Sequence, residues 1–373
     1  MRVGKLNQST SGILNAGVYQ LVEEKILTEA ATSVTFSNLN GDVDQEYRII
    51  GRFVNGYNGG ENLRIQPNND TGANYGYQNI SGINTTIAAA RDSGLVSHNI
   101  ARCEALNDLS LSDTIIYAKS GYVRTFLSKY CSGISGTTVN GIYLSGGSWN
   151  NTANNITSLV ISASQANGLG IGTHLFLFKR NLLGTEASSG MKTGDLNIQG
   201  SLNCGVMQKI YQTTLASAAT SVTISGLDGN TDTLYELRAR IVNGYNGACG
   251  IYLRPNNDTT DTHYGGQKIY GSDSSAAANH NSGAAYYFNG GFSTLNQLSF
   301  TNCFMYSKSG FIRVWINTGA EAISGTTVGY ADLFGNVWNN TADNITSLVL
   351  FATQASGLGV GTTIELWALR KKI

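Results

Sequence analysis

Proline is nearly absent from this chain, charge is scarce, and no long apolar run occurs. Only two of its 373 residues are proline and 13% are charged. With 24 basic against 24 acidic residues the formal net charge is zero, which gives no electrostatic reason to expect nucleic acid or an anionic membrane as a partner. No apolar stretch approaches the roughly 18 residues that a membrane-crossing helix needs, and the first residues lack the apolar centre of a secretion signal. We therefore expect a protein made in a cytoplasm, with no membrane insertion. Five cysteines, Cys103, Cys131, Cys204, Cys249 and Cys303, form an odd set, which argues against a disulfide framework.

What the chain has instead is glycine, 45 residues of it, and an internal duplication. Val54-Asn55-Gly56-Tyr57-Asn58-Gly59 returns as Val242-Asn243-Gly244-Tyr245-Asn246-Gly247, and Pro67-Asn68-Asn69-Asp70 returns 188 residues later as Pro255-Asn256-Asn257-Asp258. Ile134-Ser135-Gly136-Thr137-Thr138-Val139 and Trp149-Asn150-Asn151-Thr152-Ala153 return 189 residues later, from Ile323 and Trp338. Solenoid repeats run at roughly 20 to 50 residues, so this period means two copies of a whole domain. Each copy, about 170 residues, is large enough to bury a core without disulfides or metal. The boundaries read as an N-terminal arm over 1–16, a first domain over 17–180, a connector or second arm over 181–204 and a second domain over 205–373.

Within each copy the hydrophobic period is near two. In Tyr235-Glu236-Leu237-Arg238-Ala239-Arg240-Ile241-Val242 the odd positions are apolar, as expected of a half-buried strand ending in an Asn-Gly turn. Tyr47, Ile49, Gly51 and Phe53 read as the inward set of the first copy. The strand after the glycines, with Leu63 and Ile65 or Ile251 and Leu253 inward, reads as its hairpin partner. Later strands are expected at 122–127, 158–161 and 175–178, and at 311–316, 347–350 and 364–367. Helical turns are hinted only at 28–31 and 88–92. Short strands between Gly and Asn turns argue for an all-β chain: two tandem antiparallel β-sandwich, jelly-roll-like domains.

Catalytic patterns are sparse. Gly168-Leu169-Gly170-Ile171-Gly172, repeated from Gly357, is not GxGxxG and precedes a strand, so it reads as a turn. His98, His174, His263 and His280 have no histidine at the equivalent positions of the other copy. Paired carboxylates from distant strands would suit a glycosidase, yet no acidic strand residue recurs in both copies. Asn40, Asp42 and Asp44, or Asp228, Asn230 and Asp232, have oxygen spacing for calcium but lack the glycine and glutamate of an EF-hand, and a solvated turn is the better reading. Trp149 and Trp338 suit packing better than sugar stacking. No catalytic, cofactor or metal residue is expected, and the chain reads as a non-enzyme.

Each copy runs through a Tyr-x-aliphatic strand, a Leu63-Arg64-Ile65 or Tyr252-Leu253-Arg254 strand, Asn/Asp turns, and Asn74-Tyr75-Gly76 or His263-Tyr264-Gly265. A Gly-rich middle, Ile-Thr-Ser-Leu, and Gly-Thr before an aliphatic-aromatic strand complete it. This order resembles the β-sandwich modules of tail-fibre and other virion structural proteins of tailed bacteriophages, over roughly 17–180 and 205–373. The resemblance implies a non-enzymatic, oligomeric particle component, located in the virion and contacting other capsid or tail proteins. No long stalk precedes the first module, which favours a head-decoration, collar or short-fibre part over a long fibre. The alternative is an adsorption protein that binds host-surface glycan through loop tyrosines, for which Tyr75, Tyr77, Tyr264, Tyr286 and Tyr287 are candidates in the divergent stretches 71–115 and 260–305. The connectors read equally as flexible linkers or as arms pairing with a neighbouring subunit, with Leu6, Ile13, Leu14, Leu196 and Ile198 as contacts.

Overall fold

In the computed structural model, residues 16–180, 206–272, 275–283 and 287–370 are described. The period-two pattern gives strands throughout. The first copy holds β1 (Ala16–Ile26), β2 (Ser33–Phe36), β3 (Glu46–Val54), β4 (Glu61–Pro67), β5 (Tyr75–Ile83), β6 (Thr86–Leu95), β7 (His98–Cys103), β8 (Leu109–Tyr117), β9 (Arg124–Ser135), β10 (Thr138–Trp149), β11 (Leu159–Ala163) and β12 (His174–Arg180). The second holds β13 (Val206–Thr214), β14 (Ser221–Ser225), β15 (Leu234–Val242), β16 (Cys249–Pro255), β17 (Tyr264–Ser272), β18 (Ser275–Ser282), β19 (Tyr287–Phe292), β20 (Leu298–Tyr306), β21 (Arg313–Ile323), β22 (Tyr330–Trp338), β23 (Ser347–Ala352) and β24 (Thr363–Arg370). The chain is all-β, and every named strand pairing is antiparallel.

Each copy is a sandwich with a jelly-roll strand order. Strands β1-β12-β3-β8 lie in one sheet and β2-β11-β4-β7 in the other, and β9-β10-β5-β6 extend the first sheet to eight strands. The second copy repeats this as β13-β24-β15-β20-β21-β22-β17-β18 over β14-β23-β16-β19. β3 and β4 are therefore not a hairpin: β3 pairs with β12 and β8, whereas β4 pairs with β11 and β7. The reason lies in the intervening Asn-Gly turn. Buried Asn55 donates to the carbonyls of Gly59 and Ala105, both at 2.8 Å, and accepts from the Tyr57 N–H, which carries the chain from one sheet to the other. Asn243 does the same in the second copy.

The repeated motifs turn out to hold one another. Pro67 and Pro255 end β4 and β16, and each Asp–Pro turn closes at 3.0 Å through two left-handed asparagines, Asn68 and Asn69 or Asn256 and Asn257. The Asn68 side-chain oxygen accepts from the N–H groups of Thr157 and Ser158, and Asn256 from those of Thr346 and Ser347. Asp70 and Asp258 accept the indole N–H of Trp149 and Trp338 at 2.7 Å. Arg124 and Arg313 lie over those indoles and donate to the Asn151 and Asn340 carbonyls. Gly56 and Gly244 permit close passage of the Gly-x-Gly-x-Gly loop: an added Cβ would stand 2.2 Å from the Asn167 or Ser356 carbonyl oxygen. Leu169, buried in that loop, bridges to Ala31 and Asn55.

Two interior cores fill the sandwiches, around Phe53, Leu63 and Trp149 in the first and Ile241, Leu253 and Trp338 in the second. A third core joins the copies, bringing Ile50, Phe176 and Phe178 together with Phe304, Ile316 and Val337. The large sheets thus pack face to face, and β1 pairs with β13 to join them along one side. This corrects the half-buried reading of β3, whose second face is covered by the other copy; on β15 the cover is partial, with Glu236 buried and Arg240 exposed.

That interface contains ions. Arg48 donates to Asp113 through two bonds of 2.7 and 2.9 Å, Lys129 reaches Asp113 at 3.2 Å, and Arg48 lies 3.8 Å from Glu236, which also pairs with Arg238. Burial opposes the Asp113 charge, but Arg48 and Lys129 outweigh it and hold the carboxyl well below its ordinary range. Arg52 lies against the Phe311 ring at 4.2 Å and the Tyr306 ring at 5.4 Å, and burial lowers its guanidinium to about 10. His174 bridges Glu24 at 2.6 Å and Tyr306 at 3.1 Å.

The expected helical turns fall elsewhere. Residues 88–92 lie in β6, while 28–29 form a bend and Ala31 bridges to Leu169; single helical turns occupy α1 (Gly41–Asp44) and α2 (Gly229–Asp232). These are the stretches with calcium-like spacing. Asn40 and Asp228 cap the turns, Asp42 accepts from the Ser120 N–H, and Asp44 and Asp232 accept from the Tyr47 and Tyr235 hydroxyls, so the oxygens serve separate partners. Among the described residues no group of three or more His, Cys, Asp and Glu is placed to hold a metal ion, and no helix is long and apolar enough to cross a membrane.

Candidate functional site

The tyrosines expected to contact a receptor do not form a site. Tyr75 and Tyr264 are 2% and 1% exposed and donate to the backbone carbonyls of Asp70 and Asp258 at 3.1 and 2.8 Å. They are core residues at the starts of β5 and β17, which corrects their reading as loop contacts: alternation turns that face of each strand inward. Trp149 and Trp338 are likewise fully buried, which excludes a sugar-stacking platform there. Tyr77, half-buried on β5, lines a shallow groove with Arg91 and Asp92. Tyr287 begins β19, and Tyr286 lies outside the described residues, as do Leu6, Ile13, Leu14, Leu196 and Ile198. The stretches 71–115 and 260–305 are not mainly loops, since they contain β5 to β8 and β17 to β20.

The feature that distinguishes the copies lies in the extended part of the large sheet. In the first copy Tyr130 of β9 stands opposite Tyr143 of β10, and the rings stack at 4.6 Å with 12° between planes. At the same place in the second copy Gly319 of β21 stands opposite Asp332 of β22. Two facing aromatic rings have become a hydrogen atom and a short carboxylate. Asp332 also lines a cleft of about 470 Å³, walled by β17, β18, β21 and β22 and bordered by Gly291, Phe292 and Ser293 at the end of β19.

The cleft is polar and carries groups of both charge signs. Glu321, fully buried, and Asp332, 8% exposed, lie on neighbouring strands of its floor. The Glu321 side chain interacts with the Asp332 carboxyl. Burial raises the Asp332 pKa, against the opposing effects of the Glu321 bond and the Lys268 charge. Lys268 lies on adjacent β17 with its ammonium 4.2 Å from the Tyr270 ring centre. Tyr270 and Tyr330 meet edge-on at 6.2 Å, and Tyr330 is 38% exposed. The Asp332 Oδ2 atom is buried and has no hydrogen-bond partner in the protein, an arrangement that costs free energy unless something else fills the position.

Neither carboxylate nor Lys268 is visible to a search for residues shared by the copies, because their counterparts are Ser132, Tyr143 and Asn79. The signal lies in what the copies exchange: two tyrosines replaced by glycine and aspartate, on either side of the shared Ile-Ser-Gly-Thr-Thr-Val turn and between the shared Arg and Trp.

No family model matches the chain, and no curated protein matches it. Among solved structures it is similar to the LG1-3 region of the laminin α2 chain, at 7% identity and a TM-score of 0.23, covering 92% of this chain and 65% of that one. Mouse laminin α1 domains LG4-5 match at 8% identity and a TM-score of 0.13, over 95% of this chain and 94% of that one. The glycosylasparaginase PNGase F of Flavobacterium meningosepticum matches at 8% identity and a TM-score of 0.19, over 95% and 96%. This chain spans under two thirds of the laminin α2 region. Scores this low say nothing of what the protein does.

Proposed function

We propose that the chain is a non-enzymatic structural protein of a tailed-phage particle, displayed on the head or tail surface and working through protein-protein assembly contacts, with itself and with capsid or tail proteins. The observation that carries this reading is how the shared motifs are used. The Pro-Asn-Asn-Asp turn, the Trp-Asn-Asn segment, the Asn-Gly-Tyr turn and the Gly-x-Gly-x-Gly loop, repeated in both copies, all serve packing. A scaffold duplicated for its architecture, with both large sheets buried against each other, suits a rigid block that packs in many copies. The motif order resembling virion modules points the same way. Imaging particles by cryo-electron microscopy tests it: density for this chain at fixed sites on the capsid lattice or tail is expected, and its absence from purified particles would overturn the reading.

A second reading, adsorption to host-surface glycan, is favoured by the cleft of the second module, which offers an unpartnered buried carboxylate oxygen beside exposed tyrosine. No cofactor or metal enters either reading.

A further inference from the structure

We infer that the cleft between β17, β18, β21 and β22 binds a neutral saccharide unit, with a vicinal pair of hydroxyls directed at Asp332 and Lys268 and one sugar face against Tyr330. The inference rests on the second reading above and gives it a site and a ligand class.

Three observations carry it. First, the Asp332 carboxylate arises by replacement. The cleft-lining Asp332 stands where the first copy has Tyr143, stacked on Tyr130, and Gly319 stands opposite it in place of Tyr130. The architecture therefore does not require a carboxylate at this place, and the same fold accommodates an aromatic pair there. Second, Asp332 lines this cleft, and its Oδ2 atom is buried without a hydrogen-bond partner in the protein. It is an acceptor, and a hydroxyl of the ligand would satisfy it. Third, the charges select the ligand. Glu321, Asp332 and Lys268 line the cleft together, so it presents charges of both signs. A cation would meet Lys268 and an anion would meet the carboxylates. A neutral diol donates to Asp332 and accepts from Lys268 without either conflict. The volume, about 470 Å³, falls within the roughly 300 to 1,000 Å³ of ordinary small-ligand sites and suits one or two sugar rings. The exposed Tyr330 ring offers an apolar face for the C–H side of a pyranose.

The test uses the purified full chain and a panel of neutral hexoses, deoxyhexoses, N-acetylhexosamines and their disaccharides, read by saturation-transfer NMR and calorimetry. Spermidine and acetate serve as cationic and anionic probes. At least one saccharide should bind at concentrations up to about 10 mM, a range suited to weak single-sugar sites, and bind more tightly than either charged probe. Combining Gly319→Tyr with Asp332→Tyr installs the pair that the first copy already accommodates, and should abolish binding while leaving the unfolding temperature near that of the parent. An added Cβ at Gly319 meets the Phe300 carbonyl at 3.2 Å, so a small backbone adjustment is needed. Should that variant misfold, Asp332→Asn and Tyr330→Ala take its place, each expected to weaken binding at least fivefold. No saccharide binding, binding unchanged by every folded variant, or preference for spermidine or acetate would each overturn the inference. Because binding is read on the isolated chain, its failure is distinct from failure to find the protein on particles.

Discussion

Arg48 and Glu236 occupy the same position in the two copies of the repeat, and they face each other at 3.8 Å across the interface between the copies. Two identical domains meeting in this way would bring two like charges together. Divergence at this position has made the contact complementary, so the two halves form an internal pseudo-dimer whose halves are no longer interchangeable. Asp113, which grips Arg48 from its own sheet, has uncharged Asn302 as its counterpart.

Removing the cation should be costly. Arg48→Met leaves Asp113 and Glu236 buried beside less positive charge, and is expected to destabilise the chain by about 3–5 kcal/mol. Glu236→Gln, which leaves the Arg48–Asp113 pair intact, should cost less, about 1–3 kcal/mol. Urea unfolding followed by tryptophan fluorescence measures both, and equal losses would show that the cross-copy contact matters as much as the bidentate pair.

Acid should weaken the first sandwich through His98. This ring is buried against Phe126 at 4.8 Å and lies 3.2 Å from the Ser128 hydroxyl, and burial lowers its pKa from 6.5 to about 4. Between those values the unfolded chain binds the proton and the folded chain does not. The stability is therefore present above pH 6.5 and falls as pH drops toward 4, by about 2 kcal/mol between pH 7 and pH 5. In His98→Phe that part of the slope should vanish. Comparing urea midpoints of the two proteins across this window checks it, because carboxylates common to both cancel.

The turn locks should act alike in both copies. Asp70→Ala and Asp258→Ala each strand a buried indole N–H, at Trp149 and Trp338, and each is expected to cost about 1–3 kcal/mol. Near-UV circular dichroism should show the tryptophan signal reduced in each variant. A loss confined to one copy would contradict the equivalence.

Gly56→Ala and Gly244→Ala should be among the worst small substitutions in the chain. Each new methyl collides with backbone, 2.2 Å from a carbonyl oxygen, so one of two packed loops must shift. Gly146→Ala, with no atom within 4 Å of its added Cβ, is the control and should lie within about 1 kcal/mol of the parent. Thermal unfolding of the three variants distinguishes them.

The duplication, the all-β class and the turn positions were legible in the sequence, because local chemistry decides them. Pro67 cannot continue a ladder, Asn68 and Asn69 tolerate left-handed backbone, and alternation marks Tyr47, Ile49 and Phe53 as one face. Which sheet each strand joins was not legible. β3 and β4 are neighbours in sequence and lie in opposite layers, because the bonds of Asn55 to Gly59 and Ala105 set the crossing. Nor did alternation reveal that Arg48 and Arg52 are buried. A polar outer face looks the same in sequence whether water or a second domain covers it, and here paired charges and aromatic rings take the place of water. The cleft depends on the same distinction. Sequence alone contains Gly319, Glu321 and Asp332, but only the pairing of β21 with β22 places glycine opposite aspartate, and only burial by the surrounding strands makes their polar groups chemically consequential.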